Sequence, residues 1–129
     1  PKIIIEPLMR DNINEICPEI MIYCFSGCPK LTVCLHKENE STVYDENFNV
    51  NNNIFKNNEI KINAEADENV KLAFELSKEL SKPFLFVRCD FMLYQNRLYF
   101  EELTFTPYSG FLKFKQNSIF NFWSFRKDR

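Results

Sequence analysis

Phe84-Leu85-Phe86-Val87-Arg88-Cys89-Asp90-Phe91, followed by Leu98-Tyr99-Phe100-Glu101-Glu102-Leu103-Thr104-Phe105-Thr106-Pro107, is the stretch whose reading decides the fold. Two β-prone runs flank the short polar link Gln95-Asn96-Arg97, the pattern of an antiparallel hairpin. Strand side chains alternate faces, so Arg88 and Asp90 share one face, and Glu102 and Thr104 share one face of the partner strand. A three-residue loop at Gln95, Asn96 and Arg97 sets Asp90 opposite Glu102 and Arg88 opposite Thr104. Like charges directly opposite each other repel, and a buried unpaired charge is worse. Spacing alone leaves three resolutions open. The two carboxylates hold a divalent cation, Arg88 bridges both acids, or this face is solvated.

Working outward, a second hairpin is expected where Ile20-Met21-Ile22-Tyr23-Cys24-Phe25 and Leu31-Thr32-Val33-Cys34-Leu35 surround Ser26-Gly27-Cys28-Pro29. Lys2 to Glu6 reads as a short strand broken by Pro7, and Thr42-Val43-Tyr44 as a further one. Asp11 to Glu19 is polar and reads as a loop. Asp45 to Asn63 is Asn-rich and low in apolar residues, so a surface loop is expected there, with little order. Asp67 opens a helix as N-cap, with Glu68 in its first turn. Val70, Ala73, Phe74, Leu76 and Leu80 recur at helical spacing, and Ser81-Lys82-Pro83 ends the element. The order is α+β, an antiparallel sheet with a packed helix.

The 129 residues are the size of one domain. Fourteen phenylalanines point to an aromatic, β-rich core. A net charge of −2 gives no electrostatic case for nucleic acid or an anionic membrane. No apolar run approaches the ~20 residues that span a bilayer, so no transmembrane segment is expected. Five cysteines, an odd number, with no secretory leader at Pro1-Lys2-Ile3-Ile4-Ile5, fit a reducing cytoplasm. Cys24, Cys28, Cys34 and His36 lack paired zinc spacing, and strand alternation accounts for Cys34 and His36. The chain starts at Pro1 and stops after an aromatic run, so it is expected to be a fragment of a longer protein.

The last hairpin resembles the TupA-like branch of the ATP-grasp enzymes, found in polysaccharide biosynthesis loci. That branch carries a signature like V-R-x-D, a turn, then Y-F-x-E-L-T-F-T-P. Here it stands as Val87-Arg88-Cys89-Asp90 and Tyr99-Phe100-Glu101-Glu102-Leu103-Thr104-Phe105-Thr106-Pro107. Weaker echoes are Ile5-Glu6, similar to a hinge strand that meets adenine; Cys24 to Lys30, similar to a C-F-x-G-x-P-K hairpin; and Tyr44-Asp45 with Phe48, similar to Y-D-x-x-W. The resemblance spans nearly all of residues 1–129 and implies the C-terminal lobe of an ATP-grasp fold, a partial domain that lacks its N-terminal lobe.

The resemblance implies ATP and Mg²⁺ as cofactors, with Asp90, Glu102 and Thr104 on the metal side. Arg88 would stabilise charge on the transferred phosphoryl group or on the tetrahedral intermediate, and Glu6 and Lys30 would lie on the nucleotide side. For Lys30 a solvated hairpin-end lysine is the competing reading. The implied activity is ligation of a carboxylate to an amine or thiol, on a small-molecule or glycan-precursor substrate, in surface polysaccharide synthesis. A glycosyltransferase from the same loci is the first alternative, and a degenerate binding domain, docking through Phe111 to Phe125, the second. Three departures stand out: Met21 where the family tends to have a base, Glu101 for a usual glycine, and a glycine-rich segment reduced to Tyr108-Ser109-Gly110. With Gly27 and Gly110 as the two glycines, no glycine-rich phosphate cradle can be built. The chain alone is therefore expected to bind ATP weakly and to be inactive.

Overall fold

Apolar side chains on both faces of β1 set the plan of the molecule, because such a strand is stable only at the centre of a doubly covered sheet. The computed structural model describes residues 3, 4, 7, 9, 17–55 and 59–106, with only the backbone of Glu38. β1 (Glu19–Phe25) and β2 (Cys28–Leu35) form the first hairpin, and a 3-10 turn at Lys37–Asn39 leads into β3 (Glu40–Tyr44). The short β4 (Ile60–Lys61), the helix α1 (Glu68–Ser81) and the hairpin of β5 (Phe86–Tyr94) with β6 (Arg97–Thr104) follow. The strands form one sheet in the order β4-β3-β2-β1-β5-β6. It is antiparallel except for the parallel β3–β4 pair. The fold is α+β, as the residue pattern indicates.

Alternation divides the core in two. Ile20, Ile22 and Cys24 of β1 and Val87, Cys89 and Phe91 of β5 face α1, meeting Val70, Ala73 and Phe74. Met21, Tyr23 and Phe25 face the other way and join Leu31, Val33, Val43, Ile54 and Phe55. The helix starts where Asp67 accepts a hydrogen bond from the Val70 backbone N–H at 2.9 Å, a cap that contributes about 1 kcal/mol. At the first hairpin Gly27 has φ of +75°, and a Cβ there would lie 3.3 Å from the Lys82 Cα. Turn and helix end therefore meet through the one side chain that is absent.

Three expectations need correction. Leu76 is exposed, and the buried face runs through Val70, Ala73, Phe74, Ser77 and Ser81. Leu76 lies about 120° round the helix from that line; the small serines let α1 approach the sheet instead. The Asn-rich segment is not an uncovered loop, since Ile54 and Phe55 are buried and cap the second cluster. Asn52 ties that segment down by accepting from the Val43 N–H at 2.9 Å and donating to the Ile62 carbonyl at 2.9 Å. Finally, Ile3 and Ile4 are in no strand and are exposed, while Lys2, Ile5 and Glu6 lie outside the described residues.

Candidate functional site

Strand register assembles the site. β5 and β6 pair Arg88 with Thr104 and Asp90 with Glu102, the expected partners reached by a different route. The loop is two residues, Gln95 at φ 49° and Asn96 at φ 57°, the left-handed pair that a type I′ turn requires. Such a turn shifts the pairing by one residue relative to a three-residue loop. A bulge restores it: Phe91 faces Phe100, Asp90 faces Glu102, and Glu101 is the extra residue. Strict alternation would send Glu101 to the helix side; at the bulge it shares the electrostatic field of Glu19, Asp90 and Glu102.

With β1 included, two rows cross the sheet side by side: Tyr23, Arg88, Thr104 and Met21, Asp90, Glu102. Arg88 donates from Nε to Asp90 Oδ1 at 2.7 Å and from Nη2 to Oδ2 at 2.8 Å. Asp90 is 4% exposed, so it sits where a lone carboxylate would be costly. Thr104 donates its hydroxyl to Asp90 Oδ2 at 2.7 Å; Glu102 Oε1 is 3.3 Å from the same hydroxyl. A hydroxyl has one proton, so the nearer acceptor takes it and Glu102 keeps its lone pairs. Tyr23 lies under the guanidinium, with its ring centroid 5.8 Å from Cζ.

Charge in the site is unbalanced. Burial lowers the Arg88 pKa, but the hydrogen bonds and charge of Asp90, with a smaller contribution from Tyr23, outweigh it and the net shift is upward. Burial and then the charge of Asp90 raise the Glu19 carboxyl, against the pull of Arg88. Glu101 is raised by burial, then by Glu19, Asp90 and Glu102. Glu19, Asp90, Glu101 and Glu102 thus share one electrostatic field with a single guanidinium, and Met21, the register partner of Asp90, supplies no charge. Among the described residues no three His, Cys, Asp or Glu side chains form a metal cage. Asp90, Glu102 and the Thr104 hydroxyl are hard oxygen donors in excess negative charge. They fit Mg²⁺, which takes one or two carboxylates and completes its shell with water or phosphate.

Arg88, Asp90, Glu102 and Thr104 are therefore together on the face opposite α1. Lys30 is on the helix side, in an open depression of about 560 Å³ lined also by Gly27, Phe74, Lys78 and Lys82. It is neither solvated nor beside the hairpin site, for its side chain is 13% exposed and ion-paired to Glu46. Glu6 lies outside the described residues. The five cysteines are free thiols. His36 Nε2 is 3.1 Å from Thr42 Oγ1, whose own proton goes to the Ile62 carbonyl at 3.1 Å, so the ring donates. Sequence reasoning missed Tyr23 and Glu19 as neighbours of the site, and placed Glu101 beside the metal carboxylate only as a departure from the family's glycine. Tyr23 and Glu19 are brought in by the β1–β5 pairing and Glu101 by the bulge, and neither leaves a local signal.

A family model described as TupA-like ATPgrasp matches residues 1–122. No curated protein and no solved structure matches the chain.

Proposed function

The chain belongs to the TupA-like ATP-grasp family, and from that membership we propose that it supplies the metal-holding lobe of an ATP-dependent ligase. The reaction joins a carboxylate to an amine or thiol, on a precursor of a surface polysaccharide. The observation that carries the reading is the hairpin constellation. A buried Asp90 is gripped by Arg88 and Thr104, and an exposed Glu102 with uncommitted lone pairs stands directly opposite. In this reading Asp90 and Glu102 would hold Mg²⁺, and Thr104 would contribute through its oxygen or a bound water. When bound, the ion neutralises charge on the ATP phosphates.

The residues of this chain then act as follows. Arg88, held in one plane by Asp90, would lie beside the phosphoryl group as it moves from ATP to the substrate carboxylate. A fixed guanidinium in a half-buried site stabilises spread negative charge without reorganising. Transfer gives ADP and an acyl phosphate; attack by the amine or thiol releases phosphate and forms the new bond. The scarcity of glycine leaves the phosphate grip to a second lobe that closes on this one. Lys30 and Glu6 are assigned by the proposal to the nucleotide side, where Lys30 would have to leave Glu46.

Alanine at Asp90 or Glu102, in a protein that contains both lobes, tests the reading by Mg²⁺-dependent conversion of ATP to ADP. Loss of turnover with an intact fold supports ligation. Release of UDP or GDP from a nucleotide sugar would instead mark a glycosyltransferase, and an unchanged partner interaction without turnover a binding domain. For this chain alone, micromolar binding of Mg-ATP by calorimetry would overturn the two-lobe part of the proposal.

A further inference from the structure

Arg88 is held by more than its acid. Its fork with Asp90 uses one edge of the guanidinium, and both residues belong to the same strand, two positions apart. A pair of that kind fixes the plane of the head group relative to Asp90 only; both side chains can still swing together about their own torsions. A third support from another strand removes that freedom. Tyr23 is Arg88's register partner on β1 and is 2% exposed. Its ring is itself wedged against Phe55, with centroids 5.3 Å apart. Its phenol adds to the field that favours the charged arginine, and its ring lies 5.8 Å from the guanidinium carbon, near the outer limit of cation–π attraction.

We propose that Tyr23 is a positioning residue for Arg88. Wedged by Phe55, it supports the guanidinium from β1, while Asp90 grips the guanidinium from β5 and is itself held by Thr104 of β6. The assignment rests on the reading of Arg88 as the cation that faces the transferred phosphoryl group. Preorganisation is what such a cation needs, because a side chain that must be ordered during the reaction stabilises the transition state less.

The test follows the Arg88 Nε–H resonance of the 129-residue chain by ¹⁵N-edited NMR, assigned with Arg88→Lys, before and after adding Mn²⁺. Tyr23→Phe keeps the ring and loses the hydroxyl; it is expected to loosen the fork with Asp90 and so speed exchange of that proton with water about fivefold, a change on the scale of one modest hydrogen bond. Tyr23→Leu removes both and should speed it further. If Tyr23→Phe, folded by circular dichroism, exchanges at the parent rate, Tyr23 does not position Arg88. The underlying reading is scored separately by Mn²⁺ broadening of resonances near Asp90, which Asp90→Asn should abolish. Broadening absent in the parent chain sinks the cation site, while a persisting Tyr23 effect on Arg88 still upholds the positioning role.

Discussion

Arg88 and Asp90, two residues apart on β5, meet side-on through two hydrogen bonds of 2.7 and 2.8 Å. The pair is nearly buried, with the arginine side chain 12% exposed. Breaking such a pair from one side strands the other charge, a loss of about 3–5 kcal/mol. Asp90→Ala should therefore lower the urea midpoint substantially, and Arg88→Lys by less. An ammonium keeps the charge but cannot span both carboxylate oxygens in one plane. Equal midpoints for Asp90→Ala and the parent would mean that the pair is solvated.

Thr104 is the acid's second support. Replacing it with valine keeps the shape and removes the hydroxyl that donates to Asp90 at 2.7 Å. A hydrogen bond to a charged group is worth about 1.5–3 kcal/mol, and Thr104→Ser should restore most of it. Equilibrium denaturation of the two variants checks this; valine matching serine would remove Thr104 from the site.

The hairpin was legible because its pattern is strong: β-branched and aromatic runs, a polar link, and charges at alternating positions. Even so, the register was reached through an incorrect loop length, and the bulge at Glu101 cancelled the error. A bulge is a property of two strands together and leaves no local mark. The helix start was legible from Asp67, whose cap is local chemistry. Its buried face was legible in part: Val70, Ala73 and Phe74 are inside as the spacing indicates, but Ser77 and Ser81 complete the buried line and Leu76 is outside. Close approach to the sheet selected small side chains over apolar ones. Ile54 and Phe55 were hidden by their Asn-rich surroundings, although side-chain hydrogen bonds from Asn52 are what hold that segment in place.

The turn offers a test of register. Gln95 and Asn96 both have positive φ, which glutamine tolerates poorly. The double substitution Gln95→Asn with Asn96→Gly places an asparagine–glycine pair in the turn, which suits the type I′ geometry and should raise stability by about 0.5–1 kcal/mol. A thermal melt reads this directly. A loss of stability would show that the loop is not the two-residue turn.

Tyr44 links stability to alkaline pH. Its hydroxyl donates to the Ala64 carbonyl at 2.9 Å, and burial pushes its pKa up to about 12 from 10.0. The folded state thus keeps a proton that the unfolded chain releases, so this group's contribution is complete below pH 10 and is lost as pH rises through 12. Tyr44→Phe should cost about 1 kcal/mol at pH 7 and close that gap towards about pH 11. Cys34, raised to about 12 by burial, gives both proteins the same background decline. Urea midpoints at the two pH values decide it, and a gap that widens with pH would refute the linkage.

Glu19 makes the opposite kind of prediction, a wild-type residue that weakens the fold. Its carboxyl is raised from 4.5 by burial and by the charge of Asp90. The stability tied to its proton is present in acid and lost as pH rises through the raised value, so at pH 7 the ionised form is under strain. Glu19→Gln relieves it and should stabilise the chain at neutral pH by at most about 1 kcal/mol, since solvent screens a half-buried charge. Below the ordinary carboxylate range the two proteins should melt together. Mg²⁺, if held by Asp90 and Glu102, offsets the same repulsion, so millimolar Mg²⁺ should stabilise the parent more than Glu19→Gln. A neutral-pH difference that is zero, or one that grows on acidification, would show that Glu19 does not feel the carboxylates of the hairpin.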